Sequence, residues 1–121
     1  MGRHASANLF YGHILDEKRA VRLLKRLGTD VDPNEEDLGE EMGWLAREFD
    51  FELVFVHTGE TYTKYGVAVF VKRTASYQRS KFNKFKLPSE IELTRRWKKI
   101  NATLPGFAKT RAGWHLTAEY S

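Results

Sequence analysis

Two runs of β-branched and aromatic residues, separated by a polar gap, lie between Phe51 and Lys72, and no other stretch limits the fold so tightly. The first run is Phe-Glu-Leu-Val-Phe-Val-His, residues 51–57, and the second is Tyr-Gly-Val-Ala-Val-Phe-Val-Lys, residues 65–72. The seven residues between them are polar and include Gly59. This pattern predicts a hairpin with a loop longer than the tight two-residue kind. Side chains alternate between faces along a strand, so Phe51, Leu53 and Phe55 share one face, with Val54 and Val56 on the other. In the second run Val67, Val69 and Val71 oppose Ala68 and Phe70. Both faces are mostly apolar, so the hairpin is expected at the centre of a sheet, covered at least in part on both sides.

The remaining segments must pack onto that hairpin. Residues 7–15 are aromatic and aliphatic without proline or charge, and read as a further strand. Gly12 inside it marks a bulge or a close backbone approach. Asp16 caps a helix over 16–27, with Ala20, Val21, Leu23, Leu24 and Leu27 on one stripe and Gly28 as its stop. A second helix is predicted over 34–49. Leu38, Met42, Leu45 and Phe49 form its buried stripe, Trp44 adds to or flanks that face, and Gly39 and Gly43 weaken it while permitting a close neighbour. Ser89 opens a third helix over 89–103, with Glu92 three residues on completing a capping box. Its apolar stripe is Leu93, Trp97, Ile100 and Leu104. Residues 113–120 alternate cleanly, which predicts a half-exposed strand with Trp114, Leu116, Ala118 and Tyr120 facing in and His115, Thr117 and Glu119 facing out. The expected fold is therefore a single α+β domain, residues 1–121. It holds a mostly antiparallel sheet of about four strands (7–15, 51–57, 65–72, 113–120) and helices at about 16–27, 34–49 and 89–103. Such a sheet has two edges, and pairing between copies through the last strand stays open.

Length and composition narrow the functional classes. A chain of 121 residues with 41% hydrophobic and 13% aromatic content supports a real core, hiding roughly two-thirds of its unfolded surface. There is no cysteine, which excludes disulfides and thiolate metal sites. No stretch approaches the roughly 20 apolar residues that span a bilayer, so no membrane partner is expected. The N-terminal residues lack the apolar run of a secretion signal.

Charge is divided unevenly along the chain. Residues 1–60 carry seven Lys/Arg against thirteen Asp/Glu, a net of −6, and residues 61–121 carry thirteen against three, a net of +10. Asymmetry of this kind points to nucleic acid or an acidic partner, unless the acidic helix lies over the basic segment and neutralises it. The densest basic stretch runs over 72–86. Lys72, Arg73, Arg79, Lys81, Lys84 and Lys86 are interleaved there with Tyr77, Phe82 and Phe85, without an acid. Cations neutralise phosphate and rings stack on bases, and the same set suits an anionic protein surface. The bland alternative is a soluble loop whose phenylalanines turn into the core. Arg95, Arg96, Lys98 and Lys99 add a basic side to the third helix. The candidate binding residues are thus Lys72, Arg73, Tyr77, Arg79, Lys81, Phe82, Lys84, Lys86, Arg95, Arg96 and Lys99.

No nucleophile–base, phosphate-loop, dinucleotide or zinc pattern is present. His13, His57 and His115 fall on or beside strands, so their convergence on a metal is the one alternative worth testing. No catalytic residue is assigned, and no metal or cofactor is expected.

Three patches resemble a family of small uncharacterised bacteriophage proteins. They are Ala7-Asn8-Leu9-Phe10-Tyr11-Gly12-His13-Ile14-Leu15, then His57-Thr58 with Tyr65-Gly66-Val67-Ala68-Val69, then Ala112-Gly113-Trp114-His115-Leu116-Thr117. They cover about a quarter of the chain, in the family's order. The chain departs from the pattern at Thr58, where some relatives carry cysteine, and in its long basic insertion. The resemblance implies a phage origin and a shared small fold, and carries no catalytic content. By that analogy the chain is expected to be a non-enzymatic accessory protein in the cytoplasm of a host cell. It would bind and modulate a host protein. The alternative is a nucleic-acid binder using 72–86 and the basic helix 89–103.

Overall fold

The computed structural model describes residues 5–29, 37–57, 63–75, 87–104 and 111–120. Seven elements follow in chain order: β1 (Ala5–Leu15), α1 (Glu17–Arg26), α2 (Asp37–Phe49), β2 (Glu52–His57), β3 (Thr63–Ala75), α3 (Glu90–Thr103) and β4 (Gly113–Tyr120). The four strands form one antiparallel sheet in the order β2-β3-β1-β4. β1 and β2 run the same way with β3 between them, and β3 and β4 run the same way with β1 between them. Two helical crossovers thus interleave, the split βαβ arrangement. The fold is α+β, with all three helices contributing to one core on one face of the sheet.

Local chemistry accounts for the helix ends. The Asp16 carboxylate accepts from the Arg19 backbone N–H at 2.8 Å, satisfying one of the free donors of α1. At the other end Gly28 takes φ +90°, Gly28 N–H donates to Lys25 O, and Thr29 N–H donates to Leu24 O. That pair of bonds is the Schellman stop, which needs a left-handed residue at Gly28. α2 ends the same way, except that Asp50 occupies the left-handed position at φ 57° while Phe51 N–H donates to Ala46 O. Ser89 Oγ accepts from Glu92 N–H at 3.2 Å to begin α3. Only that half of the expected capping box is described, because the Glu92 carboxylate accepts instead from Arg96 at 2.6 Å.

The main core lies between the helices and the sheet. Ala20, Leu23 and Leu24 of α1, Leu38, Met42 and Leu45 of α2, and Trp97 and Ile100 of α3 meet Leu15, Phe51, Tyr65 and Val67. These are the stripes expected from helical spacing. A second buried cluster, Phe10, Val54, Val56 and Ala68, occupies the opposite face. The two edge strands come within 8 Å of one another between Cα atoms, where a flat sheet would hold them about 14 Å apart. The sheet therefore coils over this second face and encloses Phe10. The coil follows a bulge: Tyr11 pairs with Phe70 and Gly12 with Ala68, leaving Val69 extra.

Three expectations are corrected. The β2–β3 hairpin is not central, since β2 forms an edge and the inner places go to β3 and β1. β1 is 11 residues long and pairs on both sides, whereas the six residues of β2 pair with β3 alone. β3 also runs past Lys72 to Ala75, because Arg73, Thr74 and Ala75 pair with Asn8, Ala7 and Ser6. The third correction concerns β4, whose period is as expected and whose facing is reversed. Trp114 and Leu116 lie outward, while His115 stacks on Phe10 with ring centroids 5.1 Å apart. The enclosed side at β4 is the coiled face around Phe10, and the helix-side core does not reach as far as Leu116. In α2, Trp44 is exposed, flanking the stripe without joining it.

Candidate functional site

Among the described residues the expected binding residues separate into two groups. Lys72 and Arg73 lie near the end of β3, three and two residues before its last residue Ala75, and strand alternation sends them to opposite faces. Lys72 is half-buried on the helix side, level with Leu9. Arg73 is exposed, and its Nη2 donates to the Leu53 carbonyl of β2 at 3.4 Å, tying the far end of β3 to the coiled edge. Tyr77, Arg79, Lys81, Phe82, Lys84 and Lys86 lie outside the described residues.

The second group sits on α3, where Arg95, Arg96 and Lys99 are all exposed. With Leu93, Trp97 and Ile100 buried against the sheet, helical spacing divides the remaining surface into two stripes. One carries Ile91, Thr94, Arg95 and Lys98 and lines a shallow depression of about 480 Å³ together with Glu90. Ile91 is 75% exposed, and Leu87, four residues before it in the approach to the helix, is 50% exposed. Ile91 thus stands in solvent beside Arg95 and Lys98, and Leu87 stands exposed before the helix. The other stripe carries Arg96, Lys99 and Thr103 and forms one wall of a groove of about 790 Å³. Glu48, Asp50 and Glu52 stand along that groove, and Phe51, Val69 and Ile100 contribute apolar lining.

The groove bears on the charge asymmetry of the sequence. The acidic end of α2 lies beside one basic stripe of α3, so part of the +10 half has an acidic neighbour. The Arg96–Glu92 pair, half-exposed on both sides, adds only about 0.3–0.5 kcal/mol. The outer stripe differs in facing away from α2, with Arg95 and Lys98 directed to solvent. Leu87 and Ile91 are not among the binding residues expected from the sequence. Their signal was there in retrospect, since Ile91 falls off the Leu93–Trp97–Ile100–Leu104 stripe.

The histidines do not assemble as a metal site would require. His13 shares a face with Val67, and His115 stacks on Phe10 on the opposite face. His57 pairs with Thr63 at the far end of β2. That places its backbone two strands across and four residues along from His13, on the order of 16 Å away. Among the described residues no group of three metal-ligating side chains is found. His13 does have a shifted pKa. Burial holds it below the ordinary 6.5, Arg19 and His115 push the same way, and a hydrogen bond to the Arg111 backbone opposes them. Tyr65 is pushed up by burial and by Glu17. No helix among the described residues is long and apolar enough to cross a membrane.

Comparison with family models, with curated proteins and with solved structures found no match for this chain.

Proposed function

We propose that the chain is a small non-enzymatic accessory protein of the phage type that binds and modulates a host protein. The outer stripe of α3 and the basic-aromatic stretch 72–86 would supply the contact. One observation supports this reading more than any other. Ile91 stands exposed beside Arg95 and Lys98 on a stripe that the core does not use, and Leu87 is exposed in the approach to the same helix. Apolar anchors ringed by charge are the anatomy of protein–protein contact, with the anchors supplying buried area and the charges supplying register and encounter rate. Charge complementarity calls for an acidic surface with an apolar centre on the partner.

The nucleic-acid reading rests on Arg95, Arg96, Lys98 and Lys99, all exposed on one helix. Glu90 and Glu92 on the same helix count against it, because each repels phosphate. The two readings separate by salt. Phosphate binding releases counterions, so affinity for a labelled oligonucleotide would fall steeply with ionic strength. A shifted oligonucleotide with that slope supports the second reading. Absence of any shift, together with a protein captured from nuclease-treated host lysate, supports the first.

A further inference from the structure

The groove beside the Arg96–Lys99 stripe of α3 keeps its unlike charges apart. Glu48, Asp50 and Glu52 line it from the end of α2 and the start of β2, and Arg96 and Lys99 line it from α3. All five residues are exposed. Arg96 pairs with Glu92 of its own helix, and among the described residues no carboxylate lies within 4 Å of a cation across the groove. The C-terminal end of α2 falls on the acidic side, where its dipole adds to the attraction for a cation. Half-buried Phe49 and Val69 supply apolar lining. Two backbone irregularities meet at the same groove. Asp50 holds φ 57°, where α1 uses Gly28 for the equivalent stop, so α2 places a carboxylate at a turn that glycine would make without strain. Val69 is the extra residue of the β3 bulge. Strained residues and bulges gather where a side chain is held in one place for a ligand.

We infer that this groove binds a short peptide with free ends. Its ammonium lies on the acidic side, its carboxylate lies on Arg96 and Lys99, and an apolar side chain covers Phe49 and Val69. Charge complementarity selects this occupant. A lone cation would leave Arg96 and Lys99 unused, and a lone anion such as phosphate would face three carboxylates. A dipolar ligand satisfies both sides at once. The walls do not touch, so the two charges of the ligand must stand apart. A free amino acid carries both on one carbon, whereas an extended tripeptide separates them by about 10 Å. The cavity of about 790 Å³ is large enough for such a ligand, since small-molecule sites run roughly 300–1,000 Å³. On the cationic side a guanidinium can take a carboxylate with two parallel hydrogen bonds.

Isothermal titration calorimetry of the full chain at low ionic strength tests this, with the peptide Ala-Leu-Ala as the probe. One-to-one saturable binding is expected. Acetylating the peptide's N-terminus or amidating its C-terminus should each weaken binding about fivefold, and leucine alone should bind more weakly than the tripeptide. Two substitutions fix the orientation. Asp50→Asn, which tolerates the left-handed turn, should weaken the free peptide and leave the acetylated one unchanged. Lys99→Gln should weaken the free peptide and leave the amidated one unchanged. Circular dichroism checks that both variants fold; if either does not, the capped peptides with the wild-type chain decide alone. No saturable binding at millimolar peptide, equal binding of free and capped forms, or leucine binding as tightly as the tripeptide overturns the proposal. The groove lies apart from the Ile91, Arg95 and Lys98 stripe, so either outcome leaves the proposed function untouched.

Discussion

A β-carbon at Gly12 would sit 1.9 Å from the carbonyl oxygen of Val67 and 2.7 Å from the α-carbon of Ala68. Both are backbone atoms in the neighbouring strand, so neither can swing away. The close approach lies at the bulge that bends the sheet around Phe10. Gly12→Ala should therefore destabilise the fold by roughly 3 kcal/mol or more, above the usual range for a point change. Gly66→Ala meets the Phe10 ring at 3.0 Å and Val54 at 3.2 Å, softer neighbours, and should lose about 1–3 kcal/mol. Urea unfolding of the two variants checks both the size and the order.

Gly43 gives the opposite result. It lies inside α2, and a β-carbon added there would have nothing within 4 Å. Glycine in a helix interior is less stable than alanine by about 0.5–1 kcal/mol, because its unfolded chain has more freedom to lose. Gly43→Ala should raise stability by that amount, read as a higher urea midpoint at unchanged slope. The same argument covers Gly39 in part, where the Phe55 ring at 3.6 Å is an ordinary contact.

Asp50 holds a left-handed backbone at the end of α2, a conformation that disfavours side chains with a β-carbon. It is also one of the carboxylates lining the groove beside Arg96 and Lys99. Asp50→Gly should stabilise the protein by about 0.5–1 kcal/mol. A loss of stability would show that the carboxylate contributes more than the strain takes away.

His13 sets a pH dependence whose sign follows from its environment. Burial, then Arg19 and then His115 hold its folded pKa below the ordinary 6.5. The unfolded chain therefore binds the proton more readily, and stability falls as pH drops below about 6.5 toward the folded value. Above that range this group contributes no slope. Thermal melts at pH 7.5 and 5.5 should show a drop in the wild type that is smaller in His13→Gln. An equal drop in both would assign the pH dependence to other groups.

Element type and stripe were legible in the sequence because they depend on local chemistry. Asp16 and Ser89 at helix starts, Gly28 at a helix end and Gly12 at the bulge each carry a short-range reason that needs no knowledge of the fold. Strand order and the facing of β4 were not legible, because both depend on how the sheet coils. The alternation in 113–120 is clean, yet whether Trp114 or His115 faces inward is set by the enclosure of Phe10 rather than by hydrophobicity. The same limit applies to the candidate surface. Arg95, Arg96 and Lys99 were visible as charges. The exposure of Ile91 beside Arg95 and Lys98 became visible only once α3 had a buried side. Lys72 and Arg73 read as part of one basic stretch, and register with β1 made them strand residues on opposite faces.

The outer stripe of α3 is best tested by side-by-side capture from nuclease-treated host lysate with the wild-type chain and with Ile91→Asp, Arg95→Glu, Lys98→Glu combined. All three positions are exposed, so the variant should match the wild type in circular dichroism. The account predicts a stoichiometric protein held by the wild type and lost with the variant. The same protein held equally by both would contradict it.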